Sequence, residues 1–311
     1  MNIAVIGIGG VGGFFGGKLT QLLKIEKDLE IHFIARGPHL EEIRKNGLVL
    51  DADEGEFICV PTTATDNISS LPEIDLCLVC VKSYDLENAM IQFKGKVHER
   101  TMILPLLNGV DVYDRIRSVI DKGVVFPSAV YIGTYIARPG KVTQRGGACK
   151  ILFGKDPSND YINSEVLEIF KRAGIKHEFS DNPYVNIWSK FTFIAPFGLV
   201  CAANDKSIGE VMQSEDLSGV VRGIMKEIVE IAEKRGVSLS EAIIEESYDA
   251  GAQFPFETKT SFQRDFEKVD KPDERDLFGG AIIRLGKEAG VATPVTESVY
   301  ETIQRLKKLK D

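Results

Sequence analysis

Ile3-Ala4-Val5-Ile6-Gly7-Ile8-Gly9-Gly10-Val11-Gly12 is the stretch from which the fold can be read. A short apolar run leads into glycines spaced G-x-G-x-x-G, and a helical pattern through Phe14, Leu19, Leu22 and Leu23 follows. The order strand, turn, helix gives the letters their weight. Gly7 permits a tight turn, Gly9 lets a pyrophosphate approach the backbone, and Gly12 lets helix and strand pack closely. Free N–H groups at the helix start, with the helix dipole behind them, favour an anion there. Gly7, Ile8, Gly9, Gly10, Val11 and Gly12 are therefore expected to hold a dinucleotide.

Outward from this turn, apolar runs recur at Ile31–Ala35, Asp75–Val81, Met102–Leu106 and Val124–Phe126. Near-continuous apolar strands suit a parallel sheet covered on both faces. Further runs at Val130–Ala137, Lys141–Gln144 and Ile151–Phe153 read as antiparallel additions at one edge. After Asn182-Pro183 the patterning becomes helical: Val221, Met225, Ile228, Val229 and Ala232 recur at helical spacing before Gly236. Thr293-Pro294 opens a last helix with Val299, Ile303 and Leu306 on one stripe. The expected fold is α/β, an N-terminal Rossmann doubly wound parallel sheet (1–182) followed by an all-helical C-terminal domain (183–311).

The 311 residues suffice for two cores. A formal charge of −8 argues against a surface that coats nucleic acid. The run from Ile74 to Val81 contains Asp75 and is too short to span a bilayer, and Met1 leads straight into a strand. A soluble cytoplasmic protein without membrane or nucleic-acid partners is the expectation. Cys77 and Cys80 form a C-x-x-C inside a buried strand, where residues three apart face opposite sides. His32, His39, His98 and His177 show no metal-ligand spacing.

The end of the second strand decides the dinucleotide. An NAD site usually places an acid there for the ribose 2′-hydroxyl. This chain reads Ile34-Ala35-Arg36-Gly37, and a guanidinium suits a 2′-phosphate instead. The expected cofactor is NADP(H), with Arg36 on the phosphate.

Four further segments narrow the reaction: Leu78-Val79-Cys80-Val81-Lys82, Leu104-Pro105-Leu106-Leu107-Asn108-Gly109, Trp188-Ser189-Lys190-Phe191, and Thr260-Ser261-Phe262-Gln263-Arg264-Asp265 with Lys271-Pro272-Asp273-Glu274 beyond it. In this order the chain resembles the ketopantoate reductase (2-dehydropantoate 2-reductase) family over nearly its whole length. The resemblance implies NADPH-dependent reduction of a 2-oxo acid, ketopantoate to pantoate, serving pantothenate and coenzyme A biosynthesis. It implies Lys190 as catalytic general acid and substrate contact. Lys82 and the backbone of Ile136 become cofactor contacts, Asn108 and Glu274 contacts of both cofactor and substrate, and Ser261 a substrate contact. A small-molecule 2-oxo acid is the expected partner, and the family plan leaves room for a homodimer.

The chain departs from the family where relatives place asparagines four and eight residues after the lysine. Those positions are Ile194 and Gly198, Pro196 between them is expected to disturb the helix, and Ile208 replaces another asparagine. Asn204 is the nearest candidate to compensate. One extra residue precedes Glu274, and the Lys-Pro-x-Glu pattern favours Glu274 over Asp273. A less polar pocket, accepting a branched-chain or apolar 2-oxo acid, is the alternative within the same chemistry. A non-catalytic NADP-sensing protein is the alternative outside it.

Overall fold

The computed structural model describes residues 1–268 and 271–310. It divides into two compact units, one of residues 1–108 and 112–183, the other of residues 109–111 and 184–311.

The first unit is built on six parallel strands. Their order is Thr63–Thr65, Glu30–Ile34, Asn2–Ile6, Leu76–Val79, Met102–Pro105, Val124–Val125. The chain starts in the middle, at Asn2–Ile6, and builds to both sides. The carboxyl end of that strand is therefore the switch point at which open sheets bind ligands. Ile3, Val5, Ile31, Phe33, Leu76, Leu78 and Leu104 are all buried, as strands covered on both faces require. The helix Gly10–Thr20 presents a small-residue stripe, with Gly13 against Val142, Gly16 against Phe33 and Gly17 against Leu50.

The later strands are not additions to this sheet. Thr134–Arg138 and Lys141–Gln144 join a hairpin, Leu48–Ala52 and Gly55–Cys59, in a separate four-stranded sheet. Ser128–Tyr131, Lys150–Gly154 and Lys176–Ser180 form a third. The expected single run Val130–Ala137 is broken into two strands that belong to different sheets. Apolar periodicity identifies strands but carries no information about which partner each one finds.

The second unit is helical. Its longest helices are Pro183–Asn204, Glu215–Lys234 and Pro294–Lys310. Ser207 and Glu210 close a reciprocal capping box on the helix Ile208–Gln213. The buried Glu227 carboxylate accepts the N–H groups of Val295 and Thr296 at 2.7 and 3.0 Å, satisfying free donors at the start of the last helix. Pro183–Asn204 is long and apolar enough to cross a membrane, with mean hydropathy 1.3, yet 67% of that window is buried within the fold. It also runs unbroken through Pro196. Proline costs that helix one backbone hydrogen bond, and its flanking residues, Ala195 and Phe197, are fully packed. Packing outweighs the local loss.

Candidate functional site

In the first unit, the glycine turn is locked onto its neighbours by backbone contacts. The Gly7 N–H donates to the Ile34 carbonyl at 2.9 Å, and the Cys80 N–H donates to the Ile6 carbonyl at 2.8 Å. Gly7 has φ +94°, and a Cβ there would meet the Cys80 and Val81 backbone at 2.8 Å. A Cβ on Gly12 would lie 2.1 Å from the Gly7 carbonyl oxygen. Only glycine fits either position. Gly9 behaves differently: no atom lies within 4 Å of its Cβ position, which leaves open space beside the helix N-terminus. Close packing beneath the turn and room beside it suit a dinucleotide pyrophosphate.

The other expected cofactor contacts of this unit gather at the same sheet edge. Arg36 follows the strand Glu30–Ile34, Lys82 follows Leu76–Val79, and Asn108 follows Met102–Pro105. With Gly7 these are the carboxyl ends of four neighbouring parallel strands. Ile136 lies exposed on Thr134–Arg138, the strand whose Thr134 meets Gly10.

Two residues at this edge escaped the sequence reading. Asp85 accepts a hydrogen bond from the Arg36 guanidinium. His39 accepts the Gly140 N–H on Nδ1 at 3.0 Å. Burial holds the His39 imidazole below its ordinary pKa, with the Ile8 backbone acting the other way. His39 shows no metal-ligand spacing in the sequence, but its place three residues after Arg36 puts it beside the turn. Cys77 is fully buried, and burial lifts both its thiol and that of Cys80 well above the ordinary range.

In the second unit, Lys190 lies on Pro183–Asn204, Ser261 opens the helix Ser261–Phe266, and Glu274 precedes a π-helical turn, Asp276–Gly280. Three aromatic rings connect these elements. Phe191 stacks on Phe278 at 6.2 Å, and Phe278 meets Phe262 at 5.4 Å. Phe191 and Phe262 directly follow Lys190 and Ser261, so one cluster fixes the backbone beside both. Phe278, through its helical turn, brings in the segment that starts at Glu274; its N–H donates to the Glu274 carbonyl at 3.2 Å. Trp188 packs edge-on against Phe191 from the preceding turn.

Thr260 is the cap, accepting the Gln263 N–H at 3.1 Å, which leaves Ser261 exposed at the helix start. Glu274 is 5% exposed, so it is not a solvated acid. Asp273 is engaged by Arg275, which donates to its two oxygens at 2.8 and 2.7 Å, and this favours Glu274 for any other role. Lys190 keeps part of its surface open, and burial pulls its ammonium down to about 8. Desolvation is the cause.

The face of the long helix beyond Lys190 is apolar. Phe193 and Ile194 are half-buried, Phe193 stacks on Phe254 at 5.6 Å, and Gly198 lies against Phe262. Asn204, the candidate to compensate for Ile208, lies at the far end of this helix. Its amide nitrogen donates to the Val200 carbonyl at 2.8 Å, and it sits about 21 Å along the axis from Lys190 at roughly 1.5 Å per residue. Ile208 is buried. Among the described residues no group of three metal-ligating side chains is found.

Comparison with known proteins bears on both units. The chain is 26% identical over 308 residues to the uncharacterized oxidoreductase YkpB of Bacillus subtilis, with 98% of each chain covered. It is 27% identical to a 2-dehydropantoate 2-reductase of Streptococcus pyogenes serotype M3, covering 97% of each. Its fold matches a crystal structure of a PanE/ApbA family ketopantoate reductase from Ralstonia eutropha with a TM-score of 0.88, at 26% identity, covering 100% of this chain and 99% of that one. The model of ketopantoate reductase PanE/ApbA matches residues 3–158, and that of the same family's C-terminal part matches residues 184–307. On matches that take in the glycine turn as well as the lysine helix, this chain belongs to the ketopantoate reductase PanE/ApbA family of oxidoreductases.

Proposed function

We propose that the protein is a cytoplasmic reductase that converts 2-dehydropantoate to pantoate with NADPH, in the biosynthesis of pantothenate and coenzyme A. The observation that carries this reading is the lowered pKa of Lys190, about 8, on a helix tied by aromatic rings to Ser261 and Glu274. The name shared by several curated relatives supports the choice of acid.

In this reading the turn Gly7–Gly12 holds the pyrophosphate and Arg36 the 2′-phosphate. Lys82, Asn108, the Ile136 backbone and Glu274 complete the cofactor contacts. The dinucleotide, when bound, supplies the hydride that adds to C2 of the 2-oxo acid. Lys190 donates a hydrogen bond to the ketone oxygen, stabilises the negative charge that grows there, and passes its proton to that oxygen. A pKa of about 8 leaves the ammonium mostly charged at neutral pH and makes the proton easier to release than from an ordinary lysine. Asn108, Ser261 and Glu274 orient the acid through hydrogen bonds to its oxygens.

A second reading keeps the chemistry and changes the acid. Phe193, Ile194 and Gly198 extend an apolar surface from Lys190, which favours a branched-chain or other apolar 2-oxo acid. NADPH consumption over a panel of 2-oxo acids tests both. Ketopantoate preferred by several orders of magnitude in kcat/KM supports the first reading, and a branched-chain acid preferred over it supports the second. NADPH binding without turnover on any member would replace both with a nicotinamide-sensing protein.

A further inference from the structure

The Arg36 guanidinium is not presented alone to solvent. Its Nη2 donates to Oδ2 of Asp85, a residue 49 positions away in sequence that comes from the loop after a different strand. Arg36 is the more exposed partner, with 74% of its side chain exposed against 25% for Asp85. Asp85 is also the more firmly built. It ends a short turn, Ser83–Asp85, in which its own N–H donates to the Lys82 carbonyl at 2.9 Å. Arg115 clamps that turn, donating to the Ser83 carbonyl at 2.7 Å and to both oxygens of Glu87 at 2.6 and 3.0 Å. The helix that follows is anchored by buried Leu86, Met90 and Phe93. A carboxylate is thus delivered to the end of the second strand, the place where an NAD site carries its acid, by another route through the chain.

We infer that Asp85 is a specificity-determining residue that narrows the preference for NADPH over NADH. The inference rests on the assignment of Arg36 to the 2′-phosphate. A phosphate at this position must draw Arg36 donors away from Asp85 or share them with it, and it meets the like charge of the carboxylate. A 2′-hydroxyl meets neither penalty. It donates to Asp85, which its own turn and Arg115 hold in place, as a hydroxyl does to the acid of an NAD site. The pair therefore offers something to each dinucleotide: Arg36 favours the phosphate and Asp85 the hydroxyl.

Titration of the free protein with NADPH, NADH, adenosine 2′,5′-bisphosphate and AMP, by calorimetry, tests this without turnover. Asp85→Asn removes the charge while keeping the size. It is expected to tighten NADPH and the bisphosphate and to weaken NADH, raising the NADPH-to-NADH affinity ratio about tenfold or more, as for loss of one charge-assisted hydrogen bond. Asp85→Ser gives the same reading if the amide variant is unstable. An unchanged or lowered ratio in both variants overturns the inference. Arg36→Ala separates this from failure of the underlying assignment. If Arg36→Ala lowers the ratio and the Asp85 variants do not raise it, only the role of Asp85 fails. If Arg36→Ala leaves the ratio untouched, the 2′-phosphate assignment itself is wrong.

Discussion

The glycine turn and the lysine helix, one in each unit, use opposite parts of the chain. On the proposed reading, the working groups at Gly7–Gly12 are backbone N–H groups, and the sequence contributes by leaving side chains out. At Lys190 the proposed working group is one side chain, and its pKa is set by how much protein surrounds it. The first arrangement is visible as spacing within six residues, although backbone hydrogen bonds involving Ile34 and Cys80 lock it in place. The second is tertiary: the lowered pKa of Lys190 comes from burial, which no neighbouring letter records.

The contrast can be broken at either end. Lys190→Ala is expected to have the largest effect, a fall of about 10²–10⁴ in kcat, the usual contribution of a positioned acid. NADPH affinity, measured by calorimetry, should stay near the parent value, and loss of affinity with kcat preserved would reverse the assignment. Gly12→Ala should do the converse. Its Cβ meets the Gly7 carbonyl oxygen at 2.1 Å, and relieving backbone strain of about 1–3 kcal/mol by moving the turn corresponds to roughly 5- to 150-fold in NADPH affinity. Lys190-dependent chemistry at saturating cofactor should survive it.

The pH profile comes next in size. If the ammonium of Lys190 is the acid, kcat/KM for reduction should fall about tenfold per pH unit above about 8, while the reverse oxidation gains over the same range. A flat reduction profile to pH 10 would remove Lys190 from the proton path. The same shift predicts a stability trend of opposite direction. Between about 8 and the ordinary value of 10.5 the unfolded chain holds the proton that the folded chain has released, so this group's contribution favours folding as pH rises. The smallest effect sharpens the tertiary half: Phe278→Leu should cost about 1 kcal/mol of stability, as for loss of a packed aromatic contact, seen as a lower midpoint in denaturant. It should lower kcat more than it raises the KM for NADPH.

The same contrast marks how far the sequence could be read. Strand, turn and helix at residues 3–20 were legible because each is specified by its own neighbours, and so was the change to helical patterning after Pro183. The hairpin of residues 48–59 was not, because its apolar alternation is weak and the strand beside it, Lys141–Gln144, comes from far along the chain. Asp85 was invisible for a related reason: nothing in Ser83-Tyr84-Asp85 points to Arg36 until the sheet places their strand ends near each other. The aromatic cluster left a trace that could have been followed, since Lys190 and Ser261 are each succeeded by phenylalanine.

The three rings of Phe191, Phe262 and Phe278 separate what this scaffold must keep from what it is free to change. The backbone beside the lysine and the serine, and the turn beyond the glutamate, move together or not at all, so a substitution among the rings disturbs all three at once. Phe193 and Ile194, one helical turn beyond Lys190, lie outside that three-ring cluster. A lineage could exchange side chains there, and with them the surface beside Lys190, while the lysine stays where it is.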